Sequence, residues 1–381
     1  MRIGILTLPL HTNYGGILQA YALQTVLEQM GHNVIILDKS PFQHLPYWKM
    51  PFSYSKRILE KFILSPQKNI QIFSEHWHNK TYPIISQHTQ KFIDNYIHRK
   101  EVNSLSKLKE SDFDALIVGS DQVWRPRYFT FMHSNIKNAF LYFAKDWKNI
   151  KRIAYAPSFG TDIWEYTKTQ TKICNSLLKK FDAISVRESS AISLCKKYLS
   201  SNAILVLDPT LLLNIENYNQ LINVAQVKQN TNMLLQYILD EDETKTELIN
   251  SIAQKMKLNI IRVNSKTENP TAKLEERIQP SVEQWLCGFQ DADFVFTDSF
   301  HACVFSIIYN KPFIVYGNKE RGYTRFISLL SLFGLENRLV TNKQQALKAI
   351  NMPIDWKQVN QLRQEMQKNS ISFLQSNLKF K

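Results

Sequence analysis

Phe294-Val295-Phe296-Thr297-Asp298-Ser299-Phe300-His301-Ala302-Cys303-Val304-Phe305-Ser306-Ile307 reads as an apolar strand that breaks into Asp-Ser-Phe-His and resumes at once as an apolar helix. In open α/β sheets the carboxyl end of a strand, just ahead of a helix N-terminus, is where ligands sit, because free backbone N–H groups and the helix dipole point there. A histidine, a carboxylate and a hydroxyl at such a junction suit chemistry on an anionic substrate. For His301 alone, the competing reading is a satisfied core histidine at a strand end.

The same alternation extends on both sides of this stretch. Strands at Gly4 to Thr7, Asn33 to Asp38, Ala115 to Val118, Arg152 to Ala156, Ala183 to Val186 and Ala203 to Leu207 alternate with helices near Gly16 to Gln29, Thr167 to Lys180 and Ser190 to Tyr198. Such spacing indicates a parallel, helix-covered sheet. Helical segments with Pro and Asn breaks fill residues 41–110 and look like an insertion. After a polar linker from Asn214 to Asn232, a second set follows. Its strands lie at Met233 to Leu239, Leu258 to Val263, 294 to 297 and Pro312 to Tyr316, with helices at Thr244 to Lys255, Ser281 to Phe289 and Thr324 to Leu332. The expected fold is α/β, with two Rossmann-like domains over 1–213 and 232–354 and a cleft between them. A last helix, within 355–378, crosses back onto the first half.

At 381 residues, 44% apolar and 21% charged, the chain has the makings of a globular protein of two domains. No apolar run approaches the roughly 20 residues that cross a bilayer, and no signal-type block precedes Arg2-Ile3-Gly4-Ile5. The chain therefore reads as a cytoplasmic enzyme. Cys174, Cys195, Cys287 and Cys303 are widely separated, which argues against a disulfide framework and a zinc site; no HExxH spacing accompanies His76 and His78, so no metal is expected. The net charge of +14 points to acidic partners. Between residues 40 and 110, eleven Lys/Arg face five Asp/Glu among Trp48, Tyr54, Trp77 and Tyr82. That composition suits peripheral contact with an anionic membrane, or a solvated basic face. No nucleic-acid module is recognisable, so nucleic acid is not expected as a partner.

Other strand ends carry further candidates. Thr12-Asn13-Tyr14-Gly15-Gly16 opens a helix with two glycines that let backbone approach an anion, or it is a plain tight turn. It is not GxGxxG, so a nicotinamide cofactor is not expected. Gly119-Ser120-Asp121-Gln122-Val123-Trp124 follows a buried strand; its carboxylate, amide and indole suit a sugar, while Ser120 or Asp121 also suits a helix N-cap. Ser158 ends another strand. Arg187 ends the next and suits a bidentate contact to phosphate or carboxylate, or an ion pair with Glu188 or Asp208. Arg321 and Arg325 are anion-binding candidates or surface pairs.

Taken in order, Asn13-Tyr14-Gly15-Gly16 with Gln19-Ala20, Val118-Gly119-Ser120-Asp121-Gln122-Val123-Trp124, Ala156-Pro157-Ser158-Phe159-Gly160, Val186-Arg187-Glu188, Leu207-Asp208-Pro209-Thr210, Thr297-Asp298-Ser299-Phe300-His301 and Arg325-Phe326-Ile327-Ser328-Leu329-Leu330 resemble the polysaccharide pyruvyl transferase family. The resemblance spans roughly residues 2–340. It implies a GT-B-like arrangement with the site in the inter-domain cleft, phosphoenolpyruvate as donor substrate, no separate cofactor, and a sugar or lipid-linked glycan as acceptor. Pyruvyl transfer needs a proton for the enol methylene and cations for carboxylate and phosphate.

His301 fits the acid/base role, with Asp121 as a second base or as the group that orients acceptor hydroxyls. The expected donor contacts are Arg187, Ser299, Phe300, Arg321, Arg325, Gly15 and Gly16, and the expected acceptor contacts are Asn13, Tyr14, Ser120, Gln122, Trp124 and Ser158. Some family members carry an arginine two residues before this histidine. Here that position is Ser299, so Arg321, Arg325 or a lysine must supply the charge. The alternatives are a GT-B glycosyltransferase using a nucleotide sugar and a non-catalytic sugar-binding or assembly protein.

Overall fold

The structure, a computed structural model, describes residues 1–42, 45–64, 71–133, 135–227, 231–317 and 322–379, with the side chains of 130–133 excepted. Twelve strands form two sheets, and every pairing is parallel. The first holds β1 (Arg2–Leu6), β2 (Asn33–Asp38), β3 (Arg99–Glu101), β4 (Ala115–Val118), β5 (Lys151–Ala154), β6 (Ala183–Val186) and β7 (Ile204–Leu205), in the order β3-β2-β1-β4-β5-β6-β7. The second holds β8 (Met233–Tyr237), β9 (Asn259–Arg262), β10 (Ala292–Thr297), β11 (Phe313–Tyr316) and β12 (Leu339–Val340), in the order β12-β11-β10-β8-β9. Both are doubly wound α/β orders, so the fold is two Rossmann-like domains. The strand order reverses between β1 and β4 and between β8 and β10, where such sheets open a crevice at the strands' carboxyl ends.

Helices cover both faces, which is why the central strands are apolar runs rather than alternating ones. Ala115–Val118 is buried throughout, and β10 is buried except at Asp293. Three differences from the sequence reading have plain causes. The segment read as a polar linker contains the helix Ile215–Ala225, started by an Asn214/Asn217 capping box and anchored by buried Tyr218, Leu221 and Ile222. Strand β3 lies inside the helical insertion and was not expected, because a three-residue Arg-Lys-Glu edge strand has no apolar signature. Strand β12 is two residues long and equally silent.

Tyr14, which opens the helix Tyr14–Gln29, ties the first half to the second. Tyr14 is fully buried, stacks on Trp285 at 5.3 Å between ring centres, and donates its hydroxyl to the carbonyls of Pro280 (2.7 Å) and Val263 (3.2 Å). Gln279 Nε2 donates to the Thr12 carbonyl at 3.1 Å. The helix Trp356–Asn377 returns from the second sheet to the first: Ser370 Oγ accepts the Leu207 N–H at 3.0 Å, and Phe373 meets Tyr155.

Removing the Tyr14 hydroxyl leaves two carbonyls of the second half without that donor. Tyr14→Phe is therefore expected to lower the unfolding free energy by about 1–3 kcal/mol, read from urea denaturation; an unchanged midpoint and slope would show that the hydroxyl does not tie the halves.

Candidate active site

Strand ends of the first sheet bring three charged side chains together. Past β4, Gly119 has φ +133, and a Cβ there would lie 1.9 Å from the Tyr155 carbonyl oxygen, so only glycine fits. The turn puts Asp121 in the left-handed region (φ 62), which aspartate tolerates better than most residues. Arg187, just past β6, reaches two carboxylates: Nη2 donates to Asp121 Oδ1 at 2.8 Å and Nη1 to Asp208 Oδ2 at 2.7 Å. Asp208 follows β7 and begins the 3₁₀ turn Pro209–Leu212, where its Oδ1 accepts the N–H and hydroxyl of Thr210.

The second sheet delivers His301 to this cluster. Ser299 occupies the N-cap position, and Phe300 and His301 open the helix Phe300–Ile308. His301 Nε2 lies 3.7 Å from Asp208 Oδ2, an ion-pair approach longer than a hydrogen bond, and it has no hydrogen-bond partner among the described residues. Its ring rests on Gly15 of the first half, where an added Cβ would meet Nδ1 at 2.0 Å. The absence of a side chain at Gly15 is what lets the two halves close over the imidazole. The Phe300 ring sits under two guanidinium groups, Arg187 at 4.5 Å and Arg325 at 5.4 Å from its centre.

The electrostatics separate these groups. Burial alone would raise the Asp121 carboxyl, but Arg187, then His301 and Arg325, outweigh it and hold the group below its usual range. Asp208 is also held low against burial, by His301, Arg187 and Thr210. Burial pushes the Glu188 carboxyl up despite Arg187; its Oε1 accepts the Phe159 N–H at 2.9 Å, while Oε2 lies 3.9 Å from Arg187 Nε without a hydrogen bond. Arg325, on the helix Tyr323–Leu332, is only 9% exposed, and its guanidinium makes no hydrogen bond or ion pair among the described residues. Burial and the neighbouring Arg187 lower it to about 10.

Several expectations change in this light. Arg187 is not a free anion receptor: both terminal nitrogens are committed to carboxylates, the ion-pair alternative with Asp208 extended to Asp121. Asp298, read as the carboxylate beside His301, instead accepts the N–H groups of Leu239 and Asp240 and pairs with Lys245 at 3.0 Å. Asp208 takes that place; it belonged to a recognised motif but only a contact across the cleft reveals its relation to His301.

Trp124 is buried against Phe140 with its indole N–H on the Ala139 carbonyl, so it is a core residue without a face for a sugar. Tyr14 is used between the halves, Ser120 is locked to Gln19 (2.6 Å), and Ser158 is buried with its hydroxyl on the Gly160 N–H. All three side chains are engaged within the protein. Asn13 caps its helix, accepting from Gly15 and Gly16 N–H groups, which takes up the donors expected for an anion. Gln122 is half-buried and accepts from Arg125 at 3.3 Å. Ser299 lines the site with its hydroxyl unengaged in capping. Arg321 lies outside the described residues.

Two parallel α/β domains with a charged cluster at their facing strand ends define a GT-B-like protein. Arabidopsis thaliana UGT89C1 complexed with UDP-L-rhamnose is similar over 98% of this chain and 98% of its own, at 10% identity and a TM-score of 0.50. A UDP-GlcNAc 2-epimerase from Neisseria meningitidis bound to UDP-GlcNAc covers 99% and 100% at 12% identity, with a TM-score of 0.45. The first likeness speaks for the fold alone. A comparison with curated proteins gives no match. The family model for polysaccharide pyruvyl transferase matches residues 13–320, a span that takes in Gly15, Asp121, Arg187, Asp208 and His301. The chain belongs to that family of transferases.

Arg325 carries a stability prediction. Its folded pKa lies below the ordinary arginine value, so the fold disfavours its charge at every pH below about 10. Arg325→Met is expected to leave the unfolding free energy at pH 7 equal to or above that of the unmodified chain; a loss of about 2 kcal/mol or more in urea denaturation would show the guanidinium to be a structural partner.

Proposed function

We propose that this protein transfers the pyruvate of phosphoenolpyruvate onto a sugar diol of a polysaccharide precursor as a ketal, releasing phosphate. Family membership supports the class of reaction. The single structural observation that supports the donor is Arg325, a nearly buried cation with no hydrogen bond or ion pair among the described residues, beside the ring that also carries Arg187. A buried charge left unpaired in the resting protein is costly to the fold and is accounted for by an anionic ligand. Arg325 lies just past the matched span of 13–320 and would supply the positive charge that Ser299 does not. Ser299 adds a hydroxyl donor, and Phe300 a flat floor for the enol.

The proton balance closes with one acid/base group. His301 donates a proton to the methylene carbon of phosphoenolpyruvate, which leaves positive charge on the carbon bearing phosphate and carboxylate. One acceptor hydroxyl attacks that carbon and gives its proton back to His301. The carbon–phosphate oxygen bond then breaks, the second hydroxyl closes the ketal, and its proton leaves with phosphate. Asp208 faces His301 Nε2 at 3.7 Å, while Arg187 holds Asp208. Asp121, kept ionised by Arg187, is a weak base; it fits the role of orienting acceptor hydroxyls. Entry of both substrates requires the halves to part, since His301 is only 7% exposed.

Incubation with phosphoenolpyruvate and a panel of glycan acceptors is expected to release phosphate and add pyruvate to the acceptor. Phosphoenolpyruvate at about 100 times its Kd should stabilise the protein by about 2.7 kcal/mol, an effect that Arg325→Met loses and UDP does not reproduce. His301→Gln should keep that stabilisation but lose about 10²–10⁴-fold in kcat/KM. Stabilisation by UDP and not by phosphoenolpyruvate would overturn the reading in favour of a nucleotide-sugar enzyme.

A further inference from the structure

The helix Met50–Leu59, preceded by the turn Tyr47–Lys49 and extended by one π turn at Glu60–Leu64, is folded inside out. No residue of the three segments is buried. Its polar side faces the protein: Arg57 makes a bidentate pair with Glu75 (2.6 Å for each bond) and donates to the Ile72 carbonyl, with Tyr54 against Phe73. At 3.6 residues per turn, Trp48, Phe52, Ser55, Leu59 and Phe62 fall on one side, flanked by Ile58 and Ile63. That side is turned to solvent: Phe52 is 77% exposed, Trp48 71% and Phe62 65%, and Tyr47 and Leu64 at the two ends of the element are exposed as well. An exposed apolar face of this extent marks an interaction surface.

Charge identifies what covers it. Lys49 and Lys61 lie over the exposed rings of Trp48 (4.9 Å) and Phe62 (5.7 Å), and Lys56 stands beside them. Next to this face a groove of about 330 Å³ is lined by Lys61, His76, Trp77 and Lys80 among others, with no carboxylate in its lining. Aromatic rings, aliphatic side chains and flanking lysines match the boundary between acyl chains and anionic headgroups of a bilayer. A protein partner of matching chemistry would need an acidic rim around an apolar centre; a lipid surface supplies both at once. Among the described residues no helix is long and apolar enough to cross a membrane, so contact through this element lies in the plane of the surface.

We propose that Tyr47–Leu64 docks the protein on an anionic lipid bilayer. Through Glu75 the element is tied to the helix Ser74–Ile85, whose Trp77 lies under Arg277 of the second half at 4.6 Å. The Ile85 carbonyl accepts the Gln279 N–H at 2.8 Å, and Gln279 in turn donates to Thr12, one residue before the Asn13 cap. The docking face and the crevice are thus joined by a short chain of contacts. This surface stands on its own observations, whatever reaction the cleft performs.

Co-sedimentation tests it with vesicles of phosphatidylcholine alone and of phosphatidylcholine mixed with phosphatidylglycerol. The unmodified protein should pellet with the mixed vesicles and not with the neutral ones, and salt should release it. Replacing Trp48, Phe52 and Phe62 together by serine should abolish pelleting without lowering the melting temperature, since all three are exposed. Lys49→Gln and Lys61→Gln should each weaken partitioning by about fivefold. Stabilisation by phosphoenolpyruvate should be the same in every variant, which keeps failure of this proposal separate from failure of the reaction assigned above. No pelleting with phosphatidylglycerol vesicles, or pelleting that survives the serine substitutions, overturns the proposal. So does light scattering that shows a dimer which the serine substitutions convert to monomer while vesicles are ignored, because the face then seats a second copy.

Discussion

One guanidinium shared by two carboxylates organises the cleft. Arg187 is bonded to Asp121 and Asp208 at 2.8 and 2.7 Å with all three side chains nearly closed off from water. Removing three charges from water costs several kcal/mol each, and attraction offsets this only where the geometry is good. Two short bonds from one planar fork meet that condition. The unit still carries one net negative charge when both carboxylates are ionised. The second half sets Arg325 near it and brings the His301 imidazole up to Asp208. Asp208 is the joint between them, because one of its oxygens holds Arg187 and stands 3.7 Å from His301.

That arrangement explains why Gly15 and His301 belong to one device although 286 positions separate them in the sequence. The imidazole reaches Asp208 only by lying on the helix Tyr14–Gln29, and a methyl group at position 15 would stand 2.0 Å from the ring. Asn13 fixes the start of the same helix through its caps, and Tyr14 ties it to Pro280 and Val263. Three adjacent residues thus serve helix start, domain contact and site closure in turn. On the proposed reading, an anionic donor entering the cleft pairs with Arg325, which makes no ion pair among the described residues.

The fold was legible where apolar runs and turn residues repeat. Central strands buried on both faces announce themselves, and the Asn33–Asp38 strand and the Phe294-to-Ile307 junction stand where the sequence places them. Edge strands β3 and β12 were not legible, since three charged residues or two apolar ones carry no period. The site was legible as a set of strand ends but not as a set of pairs. Asp298 is adjacent to the histidine helix yet points to Lys245, while Asp208 comes from 93 positions upstream. Sequence adjacency favoured the wrong carboxylate. In the same way Trp124 and Ser158 sit at the right strand ends, but side-chain direction, which no spacing encodes, sends them into the interior.

Two places in the chain break the ordinary rules of burial, and they break them in opposite senses. At Arg325 a charge is withdrawn from water and left unpaired; along Tyr47–Leu64 apolar side chains are left in water while charged Arg57 turns inward. Neither arrangement adds to the stability of the isolated chain. On the proposed readings an anion resolves the first and an apolar, negatively charged surface the second. Sequences agree with their folds level by level except where function intervenes. Contacts run from Glu75 and the helix Ser74–Ile85 through Gln279 to Thr12, beside the Asn13 cap. On the two proposed readings, a catalyst working on a glycan carried at a lipid surface needs a cleft for a small anion and a face that seats on the bilayer, and each violation answers one of these needs.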